Sequence, residues 1–124
     1  MLTTSFRLLR ESKACKDRYR FLARSLGGVR KYGENTPIPL LAILDTNGLD
    51  DALWTLRAVA EEQQEARDKL SRLLACDYAE HVEPLFAKAR PRDMRLEFAI
   101  SISRRYAYGQ ATAKELRDAA AAAL

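Results

Sequence analysis

The chain of 124 residues carries 21 Lys or Arg against 17 Asp or Glu, is 48% apolar and 31% charged, and has only 5 Gly and 4 Pro. That is the size and make-up of one globular domain with a true core, residues 1–124. Its longest apolar stretches, Ile38 to Leu44 and Ala119 to Leu124, fall far short of the roughly 18 residues that a membrane-spanning helix needs, so no membrane role is expected.

At the start, Arg7 and Arg10 interrupt what would be the apolar stretch of a signal peptide, and a cytoplasmic protein with two reduced thiols, Cys15 and Cys76, is expected. A short helical turn from Thr3 or Thr4 buries Phe6 and Leu9. Ser12 then caps a helix to Leu26, with Cys15, Tyr19, Leu22 and Leu26 on one face, and Gly27-Gly28 ends it. Pro37-Ile38-Pro39 forces an extended entry to a short apolar helix over Leu40, Leu41, Ile43 and Leu44, stopped at Asn47-Gly48. The next helix starts at Asp50 or Asp51, where carboxylates suit the helix dipole, and buries Leu49, Ala52, Leu53, Leu56, Val59 and Ala60.

A longer helix follows from about Gln63 to Arg90, with a bend or break expected near Pro84. Pro91 ends it and Asp93 caps another. Met94 to Tyr108 is apolar over more than half its circumference and reads as the most buried helix, placing the core around Phe98 to Tyr106. Gly109 closes it, and Thr112 with Glu115 has the spacing of a capping box that opens a last helix into Ala119 to Ala123. With no alternating β-branched runs, there is little room for a sheet. The expected fold is all-α: five or six helices with short loops, comprising a basic N-terminal segment 1–31, a helical core 40–118 and an Ala-rich tail 119–124.

Charge is segregated along this chain. Residues 1–31 hold nine basic side chains against two acidic, a net +7; residues 32–83 sum to −7 and residues 84–124 to +4. Such a dipolar molecule can steer a charged partner. Lys13, Lys16, Arg20 and Arg24 fall within roughly 80° on a helical wheel, with Arg30 and Lys31 just beyond, a line of cations that could track phosphates or an acidic protein groove. A solvated polar face gives the same pattern, and no base-reading motif accompanies it.

Trp54 points away from Leu49, Leu53 and Leu56, so either a second helix covers it or it is an anchor for a partner, rimmed by Asp50 and Asp51. Arg104, Arg105, Tyr106 and Tyr108 mix cations with aromatics near a helix end, suited to gripping a protein loop or stacking bases; the plainer reading makes Tyr106 core and pairs the arginines with Glu97 and other acids. Asp77 and His81, one turn apart, could orient a catalytic base, but no nucleophile motif supports them and they read as a polar pair beside the core. One His with scattered carboxylates is too few ligands for a metal, and Gly27-Gly28 is followed by no phosphate-loop residues. No catalytic, cofactor or metal site is therefore expected, and no enzyme.

The runs LLAILDTNGLDDALWTLRAV (Leu40 to Val59), LLACDYAEHVEPLFAKARPRD and RRYAYGQATAKEL (within Leu73 to Leu116) resemble a family of small helical proteins of phages, prophages and bacterial genomes, similar to toxin-immunity proteins. The resemblance implies an all-α accessory protein that binds and blocks a host or toxin protein, as an anti-CRISPR inhibitor or an immunity-type neutraliser would. The alternatives are a nucleic-acid-binding accessory using the basic N-terminal helix, and a structural homodimer formed through the tail or the Trp54 face; a monomer suits the first reading.

Overall fold

Ser5 sits in extended backbone (φ −150°, ψ 164°) and its Oγ accepts the Leu8 N–H at 3.2 Å, so the first helix starts at Phe6, later than the turn expected from Thr3 or Thr4. The computed structural model describes residues 1–122, which divide into two units between Arg67 and Asp68. It is all-α, with eight α-helices among the described residues where five or six were expected. A piece that was not expected is the single-turn helix Val29–Tyr32, which follows the Gly27-Gly28 turn.

In the first unit, α1 (Phe6–Glu11) and α2 (Lys16–Ser25) are separated at Lys13, which holds φ 61°. Ser12 therefore closes α1 instead of opening α2, and Cys15 becomes the exposed N-cap of α2, not a member of its buried stripe. Leu22 is buried, with Tyr19 and Leu26 packed on the same cluster, as expected. Gly27 and Gly28, both at positive φ, turn the chain into a single-turn helix, α3 (Val29–Tyr32).

The prolines then produce a feature that was not expected. Ile38–Pro39 (β2) pairs antiparallel with Thr3–Thr4 (β1), in register Thr3 opposite Pro39 and Thr4 opposite Ile38. The pairing ends where the chain turns helical at Leu40, whose N–H still donates to Leu2 O at 3.1 Å just past Pro39. Helix α4 (Leu40–Asn47) ends at Gly48 (φ 94°), which also opens α5 (Leu49–Thr55), with Asp50 and Asp51 in its first turn.

Because α5 passes into a 3₁₀ turn at Leu56–Ala58, the phase of the helix changes. Val59 is buried and Ala52 packs on the core as expected, but Leu49 is exposed, and Thr55 and Ala58, which the expected stripe left out, are buried. Ala60 N–H donates to Thr3 O at 2.9 Å, and Gln63 Oε1 accepts the Thr3 N–H at 2.7 Å while its Nε2 donates to Met1 O. These bonds close the start of the chain onto residues 60–63. The core of this unit is Phe6, Leu9, Leu22, Ile38, Ile43 and Ala58, and the Phe6 ring meets Tyr19 and Tyr32 edge-on at 5.4 and 5.8 Å.

Helix α6 (Gln64–Ala89) runs on through Pro84 without the break that its ring suggested; Pro84 is exposed, so the acceptor it leaves unpaired lies toward water. In the second unit, α7 (Arg95–Ala107) buries only Ile100 and Ile102, and Phe98 is 56% exposed. The largest buried cluster therefore lies around Phe6, and the expectation of a core centred on Phe98 to Tyr106 is corrected. Thr112 and Glu115 form the expected reciprocal box at the start of α8 (Ala113–Ala122), both bonds at 3.1 Å. Ala119 of the tail is buried, and Ala123 and Leu124 lie outside the described residues.

Candidate partner-binding surfaces

On α2 and the turn before it, Lys13, Lys16, Arg20 and Arg24 are exposed, as are Arg30 and Lys31 of α3, and none of these six forms an ion pair among the described residues. Arg18, on the same helix, is committed elsewhere. Its Nε donates to Asp51 Oδ2 at 2.6 Å and its Nη2 to Asn47 O at 3.0 Å, while Asn47 Nδ2 donates to the same Asp51 oxygen. Asp51 thus pins α2 to the α4–α5 junction, whereas Asp50 is exposed beside it.

Trp54 is half-buried and packed against the Phe6 cluster, so a neighbouring helix does cover much of the ring, and the Arg57 guanidinium lies 4.7 Å over it. A cavity of about 80 Å³ in this unit is lined by Trp54, Tyr19, Leu22 and Cys15 together with the Arg18–Asp51 pair. It has room for little more than a small apolar group or a few water molecules.

Arg104 belongs to a clamp. Its Nη2 reaches Asp77 Oδ1 at 2.7 Å and Glu80 Oε2 at 2.8 Å, and its Nε donates to Glu80 Oε1 at 2.9 Å, so the guanidinium fastens α7 to α6 and its own pKa is pushed up by those bonds. The acids it takes are Asp77 and Glu80, not Glu97. Asp77 therefore faces an arginine, and no hydrogen bond joins it to His81, which is exposed. Arg105 is exposed and donates to Gln110 O. Tyr106 is half-buried under Arg72 at 4.7 Å, and Tyr108 is exposed under Lys69 Nζ at 4.8 Å. Cys76 is buried with its Sγ 3.9 Å from Ile100 O. No group of three or more His, Cys, Asp or Glu among the described residues is placed to hold a metal ion, and no described helix is long and apolar enough to cross a membrane.

The turn between α6 and α7, marked in the sequence as a helix stop and restart, carries more than a cap. There Asp93 Oδ1 accepts the Arg95 N–H at 3.1 Å, the expected cap, and its carboxylate also takes Arg95 Nε at 2.9 Å and Nη2 at 2.6 Å. These hydrogen bonds lower its pKa from 3.8 to about 2. A group held below its unfolded value stabilises the fold fully above that value and loses the effect as pH falls through the folded one. The Asp93 carboxyl carbon should therefore titrate by NMR with a midpoint near 2, with the Arg95 amide shifting alongside; a midpoint near 4 would show the cap to be open.

A family model described as Imm-5 like putative immunity protein matches residues 61–124, just over half of the chain, from the turn before α6 through α8. The match takes in the Leu73 to Leu116 runs and not the Leu40 to Val59 run. No curated protein and no solved structure matches the chain.

Proposed function

The chain belongs to the Imm-5 like immunity family, and from that premise we propose that it is a non-enzymatic neutraliser that binds a toxin protein in the cytoplasm and blocks it by occupying its surface. The family match supports the reading, and since it spans residues 61–124 we propose the toxin-facing surface on α6, α7 and their connection in preference to the basic face of α2. The geometry supports a mechanism of shape and charge. Arg104, Asp77 and Glu80 hold two helices in fixed register, and exposed aromatic and cationic side chains stand on the frame so made, an arrangement that binds with little ordering cost.

The test is co-expression with each toxin-like protein encoded beside the gene. Growth should be restored, and the two chains should run as one complex by size-exclusion chromatography with light scattering. Restored growth with no complex, or a toxin recovered chemically altered, would favour an enzyme. Retention of DNA or RNA in a gel shift that survives moderate salt, and is lost when Lys16 and Arg20 are reversed, would favour the nucleic-acid reading.

A further inference from the structure

The connection between α6 and α7 forms an open groove of about 820 Å³. Its apolar lining is Pro91, Met94, Phe98 and Ala122, and Met94 and Phe98 are more than half exposed, at 57% and 56%. Around this floor stand Arg90, Arg92 and Arg95, against a single carboxylate, Asp93. Asp93 is hydrogen-bonded by Arg95 and feels Arg90 only as a more distant charge, and neither Arg90 nor Arg92 forms an ion pair among the described residues, so two guanidinium groups stand beside exposed apolar surface without a bonded carboxylate.

That combination has a definite complement. Guanidinium groups select planar carboxylates, which they can grip through two parallel hydrogen bonds. An apolar floor between them rewards a side chain that is buried once the carboxylates are paired. Single-stranded nucleic acid would also meet the charge, but it gains most from successive aromatic platforms, and this floor offers one ring among aliphatic side chains.

We propose that the Arg90–Phe98 groove is a docking site for an acidic segment of the partner protein, in which flanking Asp or Glu side chains pair with Arg90 and Arg92 while one large apolar side chain sits on Met94 and Phe98. The identification of that partner as a toxin rests on the immunity reading; the chemistry of the groove does not.

The probes are fluorescein-labelled peptides titrated with the full chain by anisotropy: a Glu-rich peptide with a central Leu-Phe pair, the same peptide with Gln for Glu, the same with Ser for Leu-Phe, and an oligouridine strand. The acidic, apolar peptide should bind. Both substituted peptides should bind weaker by about fivefold or more, and the combined Arg90→Glu and Arg92→Glu reversal should cost about tenfold while leaving the thermal melt unchanged. Phe98→Ser should cost about fivefold. Absence of peptide binding, equal binding of the Gln peptide, or tighter binding of oligouridine through the same arginines would overturn the proposal. Should the reversed protein still neutralise its toxin fully, the groove assignment fails and the immunity reading stands. Peptide binding as described, with no neighbouring toxin neutralised, retains the groove and removes the immunity reading.

Discussion

Phe6→Ala is expected to lower the stability of the Met1–Arg67 unit by about 3–5 kcal/mol, the range for truncating a fully buried phenylalanine. Phe6 is wholly buried and its ring is bracketed edge-on by Tyr19 of α2 and Tyr32 of α3, so the vacated space is walled by two large rings on different helices that cannot both collapse into it. Since domains of this size are stable by only about 5–15 kcal/mol, much of the margin is lost. The protein carries a single Trp, and Trp54 packs against the same cluster, so its fluorescence in a urea titration reports this unit. The midpoint should fall sharply for Phe6→Ala and hardly move for Leu41→Ala, whose side chain is 59% exposed. A midpoint unchanged by Phe6→Ala would mean that the Phe6 cluster does not hold the unit together.

Phe6 was legible as a buried residue because Ser5, Phe6 and Leu9 lie within one local helical turn. The same holds wherever a local signal decides the structure: Gly27-Gly28 and Gly48 end helices, Asp93 caps α7, and Thr112 with Glu115 opens α8. What could not be read is what depends on residues far apart in the chain. The Thr3–Pro39 pairing has no alternation to announce it, being two residues long. Gln63 gives no local sign that its side chain will take the Thr3 N–H.

The candidate site divides in the same way. The exposure of Lys16, Arg20 and Arg24 follows from their place on one face of a helix, whereas Lys13, expected on that face, is exposed in the turn before it. That Arg104 pairs with acids is the plainer reading of the sequence, but Glu97 on its own helix is the acid it suggests, and only the packing of α6 on α7 delivers Asp77 and Glu80 to it. The run from Arg90 to Arg95 carries the strongest punctuation signals in the chain, a proline and a capping aspartate. Those signals account for a helix stop and a restart, and they hide the uncompensated charge of the two arginines beside them.

Helix α7 provides the second large effect, inside the segment that carries the family match. Ile102→Ala should cost about 2–5 kcal/mol, because Ile102 is only 4% exposed and the loss combines transfer of its methyl groups with an unfilled cavity. Phe98→Ala removes a larger side chain from the same helix, yet Phe98 already stands more than half in water, so about 1 kcal/mol or less is expected. Hydrogen exchange of peptides from residues 68–122 separates the two: protection of α7 and α8 should collapse in the first variant and persist in the second. This contrast also decides how partner binding can be interpreted. If Phe98→Ala unfolds the segment as Ile102→Ala does, then Phe98 is a core residue and any loss of binding on its removal reports folding. If the segment stays protected, the ring is free to meet another molecule even though it stands one helical turn from the buried Ile102 on the same side of α7.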